Sequence, residues 1–162
     1  MDFFTIKDLE NLSGIKAHTL RIWEQRYGFI KPERTETNIR YYNNDELKKI
    51  LNISLLNKSG FKISHLSAMS EEEINQAVLS LKDTLSKEQK LSNILLQKLI
   101  DLDLTGFEKL LNTSLHEAGV DKTMEAVVFP LLSKIGMLWI TSHIRPAQEH
   151  IVSNLIRQKV LA

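Results

Sequence analysis

The 162-residue sequence contains no cysteine, so disulfide bonds and thiolate metal sites are excluded. It has no run of about eighteen apolar residues, which excludes a transmembrane helix. Its first ten residues, MDFFTIKDLE, lack the basic-then-apolar order of a secretory signal. The sequence also has no internal repeat and no low-complexity tract. These absences predict a soluble, cytoplasmic protein without a membrane partner.

The charge of the chain is nearly balanced overall but differs between its two halves. Through His65 there are eleven basic against eight acidic residues, a net charge of +3, whereas the remainder carries ten against twelve, a net charge of −2. The length, with 43% hydrophobic residues, suits one domain or two small ones with a buried core. The asymmetry favours a basic first half that faces a partner.

The first half is predicted to form one helix after another. Thr5, with Asp8 three residues later, is typical of a helix start, and Gly14 closes that helix. The segment KAHTLRIWEQRYG follows at once and ends at Gly28. Residues 29–42 then lose the helical period, which predicts a short two-stranded excursion or an extended loop. Two more helices are predicted over DELKKILNISLLNKSG and KISHLSAM.

Two short helices around a tight turn form the helix-turn-helix arrangement, whose second helix enters the major groove of DNA. On a helical wheel this second helix has a packing side and an outward side. The packing side carries Leu20, Trp23, Glu24 and Tyr27, and the outward side carries His18, Arg21, Ile22 and Gln25. The outward side is predicted to meet base edges and phosphates. The free amides near Lys16 to Thr19 are predicted to hold a phosphate.

The excursion after this helix is basic and aromatic. Arg34 and Arg40 flank it, and Tyr41 and Tyr42 follow. A basic hairpin beside a recognition helix is what a wing on the DNA backbone or in the minor groove requires. The alternative interpretation is a small structural three-helix domain with a solvated basic face.

The stretch from TIKDLE to KISHL resembles the winged helix-turn-helix of the MerR family of transcriptional regulators. The resemblance rests on T-L-R-x-W-E, then Y-G-F-I-x-P-x-R, then R-Y-Y before the next helix. It implies a homodimer on double-stranded promoter DNA, which is twisted and bent between the elements that RNA polymerase contacts. It also implies that Thr19, Arg21, Arg34, Arg40 and Tyr42 contact DNA. The full candidate set is Lys16, His18, Thr19, Arg21, Arg34, Arg40, Tyr41 and Tyr42.

The second half is predicted to be a helical bundle. Ser70 in SEEE and Ser86 in SKEQ are predicted to begin helices through capping boxes, and Pro130 to kink or restart its helix. Four amphipathic segments joined by short turns predict an antiparallel arrangement. The predicted fold class is therefore all-α: a winged helix-turn-helix with a small β wing, followed by an antiparallel four-helix bundle. The predicted boundaries are 1–72 for the first domain, 73–85 for a connecting helix or linker, and 86–162 for the bundle.

Residues 139–150, WITSHIRPAQEH, form a polar corner between the last two predicted helices. Glu149 falls on the inward side of the last helix, in line with Val152, Ile156 and Val160. A carboxylate on an apolar stripe is costly unless it is paired, and one interpretation is a pocket lined by Trp139 and Glu149 for a flat polar ligand. The alternative is a core tryptophan with a hydrated glutamate at its rim. An acid–base pair of Glu149 and His150 is disfavoured because the two residues diverge by about 100°, so no enzyme is predicted.

The segment from VVFPLL to RQKV resembles the helical half of the cobalamin-binding module of cobalamin-dependent methyltransferases and cobalamin-sensing MerR regulators. It has P-x-L-x-x-I-G-x-x-W and an E-H pair beyond that tryptophan. The resemblance implies cobalamin as cofactor, with Trp139, Glu149 and His150 over the upper face of the corrin. Ile140 stands where the light-responsive branch has a histidine, and His143 is a conceivable substitute one turn on.

The other half of that module is a Rossmann-like domain whose D-x-H-x-x-G motif supplies the lower cobalt ligand, and the sequence has no such motif. The apolar ending QKVLA is expected to be a cut before such a domain. We therefore expect weak or absent cobalamin binding by residues 1–162 alone. The rival interpretation keeps the DNA-binding domain and makes the bundle a cofactor-free dimerisation module.

Overall fold

The computed structural model of the chain describes residues 3–81, 84–140, 144 and 146–161, without the side chains of residues 84–86, 139, 140 and 146. The chain divides into two compact units, Met1–Ser86 and Lys87–Ala162. The finer boundaries expected at residues 72 and 86 stay a prediction. Within the described ranges, no helix is both long enough and apolar enough to cross a membrane.

The first unit begins with two helices, α1 (Ile6–Ser13) and α2 (Ala17–Tyr27). Thr5 and Asp8 form the predicted capping box, in which the Asp8 carboxylate accepts a hydrogen bond from the Thr5 amide at 2.7 Å. Gly14 and Gly28 end the two helices with φ of 76° and 65°, a left-handed backbone that favours glycine. The helix-turn-helix prediction is confirmed.

A short antiparallel hairpin follows α2. Its strands are β1 (Glu33–Arg34) and β2 (Arg40–Tyr41). Asn38 adopts a φ of 64° in the turn between them, a conformation that asparagine tolerates better than most residues. Beyond β2, the backbones of Phe4 and Tyr42 exchange two hydrogen bonds of 2.8 Å, which ties the start of the chain to the hairpin. The predicted two-stranded wing is confirmed.

Three helices complete the first unit: α3 (Asn44–Lys58), α4 (Ile63–Leu66) and α5 (Glu71–Ser80). Ser70 and Glu73 form the capping box that was predicted at the start of α5. α5 packs on α3 and buries Ile74 and Val78. The core of the unit includes Phe4, Leu9, Leu20, Trp23, Tyr42, Leu47, Ile50 and Leu56. α2, through Leu20 and Trp23, and the segment after β2, through Tyr42, therefore contribute to the apolar core of this unit.

The long helices of the bundle start with α6 (Thr84–Ile100) and α7 (Leu104–Ala118). A continuous rod follows, made of α8 (Val120–Thr123), a π-helical turn (Met124–Val128) and α9 (Phe129–Ile140). The last helix is α10 (Pro146–Leu161). α6 begins at Thr84, so Ser86 lies inside the helix and the cap predicted there is wrong. The predicted fold class is confirmed.

Pro130 lies within the rod because the turn before it is widened. The Phe129 amide donates to the Met124 carbonyl five residues back, in place of the usual four. A proline has no amide hydrogen, and in a regular α-helix its ring collides with the carbonyl four residues earlier. The π-helical turn relieves that collision. The regular α-helical pattern resumes at Phe129, next to the proline where a kink or restart was predicted.

The apolar sides of α6 and α7, two of the predicted amphipathic segments, line the core of the second unit. Leu95 and Leu99 are fully buried on α6, and Phe107 and Leu111 are buried on α7. Their apolar partners on the other helices include Val127, Val128, Leu131, Ile135, Leu138, Val152 and Ile156. Because each unit has such a core of its own, substitutions in one unit are expected to leave the packing of the other intact.

Candidate nucleic-acid interface and ligand site

The outward face of α2 is the predicted one. Its exposed residues are His18, Arg21, Ile22 and Gln25. On the opposite side Leu20 and Trp23 are buried, whereas Glu24 and Tyr27 are half-buried. Apolar packing thus holds the helix from one side and leaves a mixed polar and apolar face accessible. This is the arrangement that a helix needs to reach base edges in a major groove.

The start of α2, where a phosphate was predicted, has a carboxylate close by. Lys16 stands at the N-cap position with an exposed side chain, and its Nζ lies 3.4 Å from Glu10. The pKa of Glu10 is lowered, mainly by a hydrogen bond from Lys7, with a smaller contribution from the nearby amide of Ala17. A phosphate bound at these amides would therefore lie close to the negative charge of Glu10. Thr19 is half-buried one turn further on.

The two wing arginines are held in different ways. Arg34 and Arg40 face each other across β1 and β2. The exposed Arg34 donates from Nη1 to the Asn38 side-chain oxygen at 2.6 Å. Arg40 donates from Nε to the Glu24 carboxylate at 3.2 Å, and its side chain is 33% exposed. Two positive charges thus stand side by side on the wing, next to the recognition helix.

The two tyrosines after Arg40 differ in accessibility. The Tyr41 hydroxyl donates to Glu33 at 2.9 Å, which raises the pKa of the phenol. The Tyr41 ring also packs on Phe3, with centroids 4.5 Å apart. Tyr42 is only 1% exposed, and burial is the first cause of its raised pKa. The contact predicted between Tyr42 and DNA is therefore corrected, because the backbone pairing with Phe4 seats this ring in the core.

At the start of α10, Glu149 is half-buried and has two neighbours. One carboxylate oxygen accepts from the Ser153 hydroxyl at 2.8 Å, and the other lies 3.5 Å from Nδ1 of the exposed His150. Val152 and Ile156 are buried further along the helix, as predicted for the inward side. The expected divergence of Glu149 and His150 is thus reduced by their side chains, which bend toward each other. The carboxylate remains 33% exposed and so keeps access to a ligand.

An apolar groove of about 350 Å³ lies in the second unit beside Ser153. Met124 and Leu132 form one wall, and Ile156 and Val160 form part of the other. Trp139 belongs to α9, but its side chain lies outside the described part of the chain, as does His143. The predicted pairing of Trp139 with Glu149 across one pocket therefore stays a prediction.

Comparison with protein families assigns each unit. Residues 4–73 match the MerR HTH family regulatory protein model, and residues 91–162 match the B12 binding domain model. The first match contains the α2 face and the wing, and the second contains Glu149 and the groove. The chain is a MerR-type helix-turn-helix domain followed by a B12-binding domain.

Curated relatives match this chain over different lengths. The HTH-type transcriptional repressor CarA of Myxococcus xanthus is 26% identical over 161 residues, covering 96% of this chain and 50% of CarA. The HTH-type transcriptional repressor CarH of the same organism is 24% identical over 166 residues, covering 98% of this chain and 55% of CarH. The HTH-type transcriptional regulator MlrA of Escherichia coli is 32% identical over 73 residues, covering 45% of this chain and 30% of MlrA. The chain thus spans about half the length of CarA and CarH.

Three residues of these domains were not singled out from sequence for the contacts they make. In the MerR domain, Glu24 was assigned only to packing, yet it binds Arg40. Asn38 holds the guanidinium of Arg34, and its position in a polar turn was the only local signal. In the B12-binding domain, Ser153 donates to Glu149, a contact that the spacing of four residues on a helix would have indicated.

The remaining histidines form no metal site with other side chains of the described ranges. His65 and His116 are exposed on helices of the MerR domain and the B12-binding domain, respectively. Within the described part of the chain, no cluster of three or more His, Asp or Glu side chains is placed to hold a metal ion.

Proposed function

We propose that this chain is the DNA-binding and ligand-sensing part of a transcriptional regulator that is not an enzyme. The observation that carries the proposal is the position of the exposed α2 face beside the paired arginines of the wing, within one unit. CarA, CarH and MlrA are named as transcriptional repressors or regulators, which supports this function. The partner is double-stranded promoter DNA, which the protein binds as a homodimer in the cytoplasm. RNA polymerase is an indirect partner through the shape of that DNA.

The chemistry of the α2 face suits base recognition. Arg21 carries the donors that recognise guanine, and Gln25 carries the amide that recognises adenine. Ile22 offers an apolar surface of 41% exposure that fits the methyl group of thymine. Arg34 and Arg40 reach phosphates, which orient the domain without reading sequence. Lys16, His18, Thr19 and Tyr41 complete the proposed interface.

For the second unit we propose a cap over the upper face of cobalamin, made by Trp139, Glu149 and His150. The exposed carboxylate of Glu149 fits this role, because Ser153 and His150 leave lone pairs on it for a polar ligand group. Gly136 on α9 also fits, because a Cβ there would have no described atom within 4 Å. A planar ligand could therefore approach this backbone closely. When bound, cobalamin would supply a cobalt centre with an exchangeable ligand.

DNA binding is tested by selecting duplexes from a random-sequence library with residues 1–162 and measuring affinity by fluorescence anisotropy over a range of salt concentrations. We expect enrichment of a sequence with two-fold symmetry. The slope of the logarithm of affinity against the logarithm of salt concentration should correspond to several phosphate contacts. Failure to enrich any sequence, with no salt-dependent binding, would reject the proposed function of the first unit.

Cobalamin binding is tested by titrating the full-length protein with hydroxocobalamin and following the visible absorbance of the corrin. Saturable binding that perturbs the spectrum supports the cap. A bundle that associates as a dimer and leaves the spectrum unchanged supports the cofactor-free dimerisation module instead. The two outcomes separate the cofactor proposal from its rival without affecting the DNA-binding proposal.

A further inference from the structure

One ion pair connects the recognition helix to the wing. The Nε atom of Arg40 on β2 lies 3.2 Å from Oε1 of Glu24 on α2, across a separation of sixteen residues in sequence. The Glu24 side chain is 15% exposed, and that of Arg40 is 33% exposed. The contact therefore lies at the junction of the two elements that were assigned to DNA. Its acidic member is the more buried of the two.

The burial of Glu24 is costly for the fold. Its second carboxylate oxygen, Oε2, is buried and has no hydrogen-bond partner among the described residues. An unpaired oxygen of a carboxylate loses its hydration without compensation, and an apolar side chain of similar size at such a site is often neutral or stabilising. Packing alone thus gives no reason for an acid on this side of α2. Its interaction with Arg40 does.

The geometry of the pair leaves the outer part of the guanidinium accessible. Glu24 takes the Nε hydrogen, whereas Nη1 and Nη2 of Arg40 have no hydrogen bond or ion pair within the described ranges. A guanidinium is a rigid planar group, so holding Nε fixes the direction of both terminal nitrogens. Those nitrogens carry the paired donors that bind a phosphate in two-point fashion.

We propose that Glu24 is a positioning residue for DNA binding, which holds the Arg40 guanidinium in the orientation that receives a backbone phosphate. This inference rests on the proposed DNA-binding function. Charge alone predicts the opposite effect of removing Glu24. An acid near a DNA surface repels phosphates, so its removal should strengthen binding. The positioning role predicts that removal weakens binding.

Two substitutions of equal charge separate these effects. Glu24→Met and Glu24→Gln both remove one negative charge, but only glutamine retains an oxygen that can accept from Arg40 Nε. With a duplex selected by the wild-type chain as probe, we expect Glu24→Met to bind about tenfold more weakly, equivalent to about 1.4 kcal/mol. Glu24→Gln should stay within roughly threefold of the wild type, about 0.7 kcal/mol.

The salt dependence reports on Arg40 directly. In Glu24→Met the log–log salt slope should fall by about 0.9, the value of one lost phosphate contact, as it should in Arg40→Gln. In the Arg40→Gln background, Glu24→Met should cause no further loss. Glu36→Gln and Glu36→Met, in the exposed turn of the wing, are the matched controls for charge, and neither should weaken binding. Thermal unfolding of each variant verifies that the first unit is folded.

The inference is overturned if Glu24→Met binds as tightly as Glu24→Gln, or if its loss persists unchanged in the Arg40→Gln background. A purely structural role would lower the unfolding temperature and leave the salt slope of the folded fraction unchanged. Absence of DNA binding by the wild-type chain would instead reject the proposed function itself. Failure of the inference and failure of the proposed function are therefore distinguishable.

Discussion

Arg34 and Arg40 lie directly opposite each other on the two antiparallel strands of the wing. Like charges at facing positions of a hairpin are destabilising unless an anion lies between them or each has a partner of its own. Glu24 partly neutralises Arg40, whereas the neutral amide of Asn38 is the partner of Arg34. A DNA phosphate bound between Arg34 and Arg40 would therefore offset the repulsion between their positive charges.

Replacing Arg34 or Arg40 by alanine should weaken binding to all DNA sequences. Each replacement should also reduce the log–log salt slope by about 0.9, because each side chain accounts for about one phosphate contact. Fluorescence anisotropy at several salt concentrations measures both quantities, and circular dichroism should show unchanged helix content. Binding at moderate salt that survives the double replacement would show that the wing does not contact DNA.

The left-handed backbone at the ends of α1 and α2 should require glycine there. Gly14 and Gly28 have φ of 76° and 65°, and a Cβ at Gly14 would also lie 3.4 Å from Lys58 Nζ. Valine at either position should lower the free energy of unfolding of the first unit by more than about 1 kcal/mol. The matched control is Gly136→Ala within α9, which has open space and should be neutral or stabilising by up to about 1 kcal/mol.

Urea unfolding, followed by probes placed in each unit, measures this effect. The second unit should keep its unfolding transition in both valine variants, because it has an apolar core of its own. An equal loss of unfolding free energy in both units would mean that they unfold together. The two units divided near Ser86 would then not be independently stable.

The second unit should lose stability in acid partly through Asp103. Its carboxylate lies 2.6 Å from Lys98 Nζ and accepts from the Gly106 amide, and both contacts lower its pKa, the lysine first. A carboxyl whose pKa is lower in the folded state stabilises at pH above its unfolded pKa of about 3.9, and loses that contribution as the pH falls through the folded pKa.

Asp103→Asn should therefore reduce the pH dependence of unfolding and approach the wild-type stability at low pH. Asparagine can still cap α7, so the helix start is preserved. Unfolding of the second unit by urea, measured from neutral to strongly acidic pH, checks this outcome. Parallel curves for the two proteins over the whole range would show that Asp103 does not contribute to acid unfolding.

Cobalamin affinity should depend on the corner at the start of α10. In the full-length protein, Trp139→Ala and Glu149→Ala should each reduce hydroxocobalamin affinity by about tenfold, about 1.4 kcal/mol. Ser153→Ala should have a smaller effect, because it removes only the hydroxyl that orients Glu149. The control is Asn154→Ala, at an exposed position of the same helix.

The same variants should bind DNA like the wild type in the absence of ligand. Absorbance titration with hydroxocobalamin and anisotropy with labelled DNA measure the two affinities on one sample. Undiminished cobalamin affinity in Trp139→Ala and Glu149→Ala would mean that WITSHIRPAQEH is only a hinge between helices.

The elements themselves could be predicted because their signals are local. The capping boxes at Thr5 and Ser70, and the left-handed glycines at Gly14 and Gly28, act within one turn of the backbone. The exposed face of α2 follows from helical periodicity alone. The start of α6 was misplaced because the capping pattern at Ser86 lies inside the helix, which already begins at Thr84. A capping pattern read from sequence does not show whether the helix has already begun upstream of it.

By itself, the sequence determined the order of helices, the wing and the inward and outward sides of α2, since hydrogen bonds within a helix and burial of its apolar side depend on residues close along the chain. Only the tertiary structure decided that Tyr42 is buried and that Glu24 binds Arg40. Both depend on pairings between distant segments: Phe4 with Tyr42, and α2 with β2. No local spacing encodes these distances, because chain folding and the shared core bring the partners together.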